Sequence, residues 1–168
     1  IKIITNCGFG NNISPKAELI SRLTASQSTL TINDTSINRF ERNKLLNRVF
    51  GNSIINTFKT AEPIFTNNKK FIGCSVSHNG YEKNYNCTHK REIYLDQLDN
   101  KLKGIDTIQK KSDGKPIRYV FRFYLNPKLT AVKTMSGSSA LIQISKNKSL
   151  IFNIKDENAM LPCAMFYY

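Results

Sequence analysis

The stretch PIRYVFRFYL, residues 116–125, alternates without a break. Ile117, Tyr119, Phe121, Phe123 and Leu125 fall on one side, and Arg118, Val120, Arg122 and Tyr124 on the other. Successive side chains of a strand point to opposite faces, so the pattern predicts a strand with one face in a core. A strand needs partners for its backbone N–H and C=O groups. The chain that follows supplies them. Asn126-Pro127, Ser136-Gly137 and Lys146-Asn147 are turn signals, and between them lie apolar runs near 129–134, 140–145, 149–154 and 160–167. The carboxy-terminal part therefore reads as an antiparallel meander.

The amino-terminal part has a different period. Ser14-Pro15 is a helix start, with Ser as the cap and Pro at the first helical position. Leu19, Ile20 and Leu23 follow at helical spacing. A second helical pattern runs from about Ser36 to Phe58, where Leu46, Phe50, Ile54 and Phe58 recur every four residues. Gly51 interrupts it, and Arg39, Arg42, Lys44 and Arg48 occupy its other faces. Residues 70–78 and 84–91 read as strands about a turn at Asn79-Gly80. Tyr94, Leu98 and Leu102 predict a short helix that Gly104 stops. Helices first and strands after predict an α+β fold, with amino-terminal helices packed on a carboxy-terminal antiparallel sheet. At 168 residues this is one domain, mainly helical over 1–65 and mainly β over 66–168.

Charge bears on partners. The chain carries 25 Lys and Arg against 12 Asp and Glu, a net charge of +13. Such an excess favours a polyanionic partner, RNA first among them. No run approaches the ~18 apolar residues of a membrane span. The chain opens on Ile1 rather than Met, which reads as a processed end and leads to the expectation of a secreted or delivered protein. A monomer is expected. The four cysteines, Cys7, Cys74, Cys87 and Cys163, permit three pairings, and the Cys74–Cys87 spacing suits a closed hairpin.

The chemistry concentrates in FIGCSVSHNGYEKNYNCTHK, residues 71–90, which holds both histidines, His78 and His89, and two of the cysteines. With no C-x-x-C and no H-x-x-x-H, the spacing argues against a zinc site, and no metal or cofactor is expected. Two imidazoles suit acid–base work near neutral pH, because each can hold or release a proton there. Metal-free RNA cleavage needs such a pair plus a cation for the phosphorane. A surface histidine at a turn and a second one in a strand would serve structure alone.

Two spaced histidines, a lysine some forty residues on, then a serine and a late tyrosine: that order resembles the EndoU-type ribonucleases. The helix-then-sheet layout resembles the wider barnase–EndoU–colicin–RelE group of toxin nucleases. The resemblance implies a metal-independent toxin ribonuclease with His78 and His89 as acid and base and Lys133 as the cation. Ser136 and Tyr167 would then recognise the base, and Arg118 and Arg122 hold phosphates. It also implies an acidic immunity or inhibitor protein as partner. A second likeness is to the deamidase domain of cytotoxic necrotising factors, in which Cys74 would be the nucleophile and His89 its base. In a third reading the chain is a basic module that binds polyanions without catalysis.

Overall fold

The computed structural model describes residues 2–10, 12–111, 117–135, 137, 139–153, 155 and 164–165. The chain forms two compact units. One joins Ile1–Asn38 to Arg118–Tyr168, and the other is Arg39–Ile117. Among the described residues, strands make up 46% and helices 14%. The chain is thus mostly β in several small sheets, and the expected α+β layering of helices on one sheet is not what forms.

The first unit begins with β1 (Ile4–Thr5), α1 (Pro15–Ser21) and β2 (Leu30–Ile32). The start of α1 is as expected: Ser14 Oγ accepts from the Ala17 N–H at 3.1 Å, and Pro15 opens the helix. The carboxy-terminal segment supplies the remaining strands. The alternating stretch is divided between β7 (Tyr119–Arg122), which pairs with β2, and β8 (Tyr124–Leu125), which pairs with β1. Its deepest side chain is Val120, on the face that carries the arginines. There Arg122 is accommodated by donating to Thr31 Oγ1. β9 (Thr130–Lys133), β10 (Ser139–Ser145) and β11 (Lys148–Asn153) form the expected meander in the order β11-β10-β9. Leu129, Ala131 and Ile142 are buried against Ile3, Leu125 and Phe152 to make its core. β12 (Ala164–Met165) runs parallel to β7.

The second unit departs further from expectation. The long helix over 36–58 shrinks to α2 (Lys44–Phe50), capped by the Asn43 side chain and ended at Gly51, whose φ of +67° suits glycine. The flanks pair with each other: Phe40 bridges Ile54, and the Ile55 N–H donates to the Arg39 carbonyl. Then come β3 (Ile64–Asn67), β4 (Phe71–Tyr81), α3 (Glu82–Tyr85), β5 (Cys87–Asp96) and β6 (Lys101–Lys110). The four strands form one antiparallel sheet in sequence order. Asn79-Gly80 is not the turn. It lies within β4, where the register shifts, and α3 with left-handed Asn86 makes the reversal. The Asn79 side chain instead accepts from the Lys59 N–H and donates to Glu82, tying the β4 edge to the segment before β3.

The expected helix at 94–104 is also strand. The turn between β5 and β6 is held by Asp96, whose carboxylate accepts from the N–H groups of Leu98 and Asp99. Asn100 supplies a positive φ there. No helix of the described residues is long and apolar enough to cross a membrane.

Candidate functional site

The register of β4 and β5 sets His78 directly opposite His89, and the register of β5 and β6 sets Arg91 opposite Asp106. Residues directly opposite in a sheet share a face, and so do residues two apart on one strand. All four side chains therefore meet on one face of the sheet. The His78 Nε2 to His89 Nδ1 distance is 3.2 Å, and His89 Nε2 lies 2.7 Å from Asp106 Oδ1. Arg91 donates to both Asp106 oxygens, at 2.7 and 3.1 Å. At the other end the Gly80 N–H donates to His78 Nδ1 at 3.2 Å.

The direction of every bond follows. A backbone N–H can only donate, so His78 Nδ1 accepts and its proton sits on Nε2. His78 then donates to His89 Nδ1, and His89 donates through Nε2 to the Asp106 carboxylate. The result is a one-way relay from Gly80 to Asp106 through two neutral imidazoles. Burial lowers the His78 pKa to about 4, and repulsion from His89, were it protonated as well, and from Arg91 adds to the shift. His78 is therefore neutral at pH 7, as the relay requires. Burial pushes the Asp106 carboxyl up, but the hydrogen bonds from His89 and Arg91 outweigh it and hold the group below its usual range. His89 is almost fully buried, and His78 is wedged between Phe58 and Tyr81, with ring centroids 5.9 and 6.2 Å away.

This arrangement can fix tautomers and pass a proton. It leaves no gap between the imidazoles for a phosphate, because they are bonded to each other. Lys133, Arg118 and Arg122 belong to the other unit and are not part of the relay. Lys133 is exposed at the end of β9. Arg118 pairs through its backbone with Asn33, and the Arg122 side chain is engaged by Thr31 and Asp34. Ser136 and Tyr167 lie outside the described residues. Asp106 and Arg91 are the members that sequence reasoning missed. Arg91 was legible as the residue two beyond His89 on one strand face. Asp106 was not, because only the β5–β6 register brings it there.

The cysteine readings are corrected by the same register. Cys7, Cys74 and Cys87 carry free thiols, and Cys163 lies outside the described residues. Cys74 sits opposite Ile93, whereas Cys87 sits opposite Tyr81. Seven residues of strand separate the two levels, roughly 20 Å, far beyond the ~7 Å that a disulfide spans between Cα atoms. Cys74 is likewise four residues from the level of His89, roughly 13 Å, so no Cys–His nucleophilic pair forms. Both nitrogens of His89 are occupied by His78 and Asp106. Among the described residues no three His, Cys, Asp or Glu side chains gather to hold a metal ion.

A family model described as Heparinase II/III-like, C-terminal, matches residues 1–161. No curated protein and no solved structure matches the chain. The family match overturns the resemblance to EndoU and the wider toxin nucleases, and with it the readings of the chain as a toxin ribonuclease or a deamidase toxin; the third reading, a basic module that binds polyanions without catalysis, gives way to a family of enzymes. The matched family is one of enzymes, of the polysaccharide-lyase kind.

Proposed function

Because the chain belongs to the Heparinase II/III-like, C-terminal family, we propose that it is the β-rich part of a polysaccharide lyase and holds an acidic polysaccharide for cleavage. The observation that carries this is the extent of the match, 1–161 of 168 residues, which covers both compact units. The net charge of +13 supports it, since uronate and sulfate groups are anions repeated along a chain. A lyase cleaves such a polymer by elimination. A base takes the proton beside the uronate carboxylate, and the bond to the next sugar breaks without water entering. Cations that neutralise the carboxylate make that proton acidic enough to remove. In this reading the lysines and arginines hold the polymer. The Gly80–His78–His89–Asp106–Arg91 relay keeps the central strands in register with two uncharged imidazoles.

The test is product analysis after incubation with heparin, heparan sulfate and unsulfated uronate polymers. Elimination leaves an unsaturated uronate at each new end, which absorbs in the ultraviolet. Unsaturated ends from at least one acidic polymer are expected. Saturated ends, the mark of hydrolysis, would overturn the lyase assignment.

A further inference from the structure

We propose that the face of the β3–β6 sheet opposite the histidines carries a stacking subsite for a uronate ring, centred on Tyr94. This deepens, and rests on, the polysaccharide reading above. The register aligns Gly73 of β4, Tyr94 of β5 and Lys103 of β6 across three strands. Lys90 and Glu92 share that face of β5 with Tyr94. Gly73 is what lets the tyrosine lie down. A Cβ at Gly73 would meet Tyr94 Cδ1 at 2.3 Å and Cε1 at 2.9 Å, so the ring occupies the space above the glycine backbone. The Tyr94 hydroxyl donates to Glu92 Oε1 at 2.8 Å, and Lys90 Nζ lies 3.0 Å from the same oxygen. These bonds fix the ring against the sheet.

A ring with one face on bare backbone turns the other outward, and Tyr94 is only half-buried. The apolar C–H face of a pyranose fits such a platform. Lys103 is exposed directly across from the ring, and Lys90 keeps 40% of its side-chain exposure. Two cations beside a flat aromatic surface match a sugar that carries carboxylate or sulfate groups at its rim. Glu92 adds an acceptor for a sugar hydroxyl, a group that every pyranose ring carries. A nucleobase also stacks on tyrosine, so RNA is the comparison that tests the choice of a sugar.

Calorimetric titration with a defined heparin hexasaccharide tests this, with single-stranded RNA of equal charge as the second probe. Tyr94→Leu should weaken hexasaccharide binding about tenfold, or about 1.4 kcal/mol, and affect RNA less. Tyr94→Phe, which keeps the ring, should stay within about threefold of the parent, less than half of that energy. Lys103→Glu should weaken the saccharide at least as much as Tyr94→Leu. If Tyr94→Leu does not fold, bound hexasaccharide must shield Lys90 and Lys103 of the unaltered protein from acylation more than it shields Lys146. Unaltered hexasaccharide affinity in Tyr94→Leu, equal shielding of all three lysines, or a larger loss for RNA would each overturn the subsite while the polysaccharide reading stands. Failure of the unaltered protein to bind the hexasaccharide would remove both.

Discussion

Replacing Asp106 with Asn should cost far more than its place near the sheet surface suggests. The carboxylate accepts three hydrogen bonds, one from His89 and two from Arg91, and 14% of its side chain is exposed. Asn offers one acceptor oxygen and turns an NH2 group toward either Arg91 or His89, so at least one donor faces a donor. Hydrogen bonds to a charged acceptor contribute about 1.5–3 kcal/mol each, and breaking a buried ion pair costs about 3–5 kcal/mol. Arg91 keeps 20% exposure, so water softens the loss, and about 2–4 kcal/mol is expected for Asp106→Asn. At an m-value of about 2 kcal/mol per molar urea, the midpoint falls by about 1–2 M. Because the chain has two compact units, the readout should be hydrogen exchange of β5 and β6 amides under rising urea, which reports this sheet by itself. A loss below about 0.5 kcal/mol, the level of an ordinary surface change, would refute the relay as a structural unit.

Three other outcomes follow from the same geometry. His78 has its pKa lowered to about 4 in the fold, against 6.5 when free, so the unfolded state takes up a proton first as pH falls. The stabilisation is complete above pH 6.5 and is lost as pH falls toward 4, by up to about 3 kcal/mol. Denaturant midpoints measured from pH 7 to 4 should show this slope, and His78→Gln should flatten it. Cys7 should react with a thiol reagent in the native protein, whereas buried Cys87, whose thiol is pushed up by burial, should react only on unfolding. Equal rates would contradict the placement of Cys87. Gly73→Ala should cost about 1–3 kcal/mol in a thermal melt, because the Tyr94 ring can swing away but the Ile93 carbonyl, 2.7 Å from the new methyl, cannot. A neutral result would contradict the close approach of the Ile93 carbonyl to Gly73.

The expected helices failed for one shared reason. Leu46, Phe50, Ile54 and Phe58, like Tyr94, Leu98 and Leu102, recur every four residues. Four is close to one helical turn, but it is also two strand periods, so the spacing fits either element. In the first stretch all four side chains are more than 40% exposed, and the seven-residue α2 is too short to hold together by local bonds. In the second, Asp96 and Asn100 form a turn whose chemistry outweighs the apparent stripe. The meander was legible because each strand is bounded by a turn signal that admits one reading. That His78 and His89 lie on neighbouring strands was legible, but not that they stand directly opposite, because the expected turn at Asn79-Gly80 implies a different register. Asp106 was hidden because its place depends on a pairing with β5 that the expected helix at 94–104 excluded. The family was not read from the sequence, where attention went to the two histidines and the cysteines; its match extends over residues 1–161.

The central claim, that this chain holds an acidic polysaccharide, is tested most directly by comparative binding at rising salt. The unaltered protein would be titrated with heparin, with polystyrene sulfonate of matched charge, with RNA and with a neutral glucan. The account predicts that heparin binds tightest, that its affinity falls with salt yet keeps its lead over the other two polyanions, and that the glucan does not bind. Equal affinity for all three polyanions at every salt concentration would mean that only charge is being read, and would contradict it.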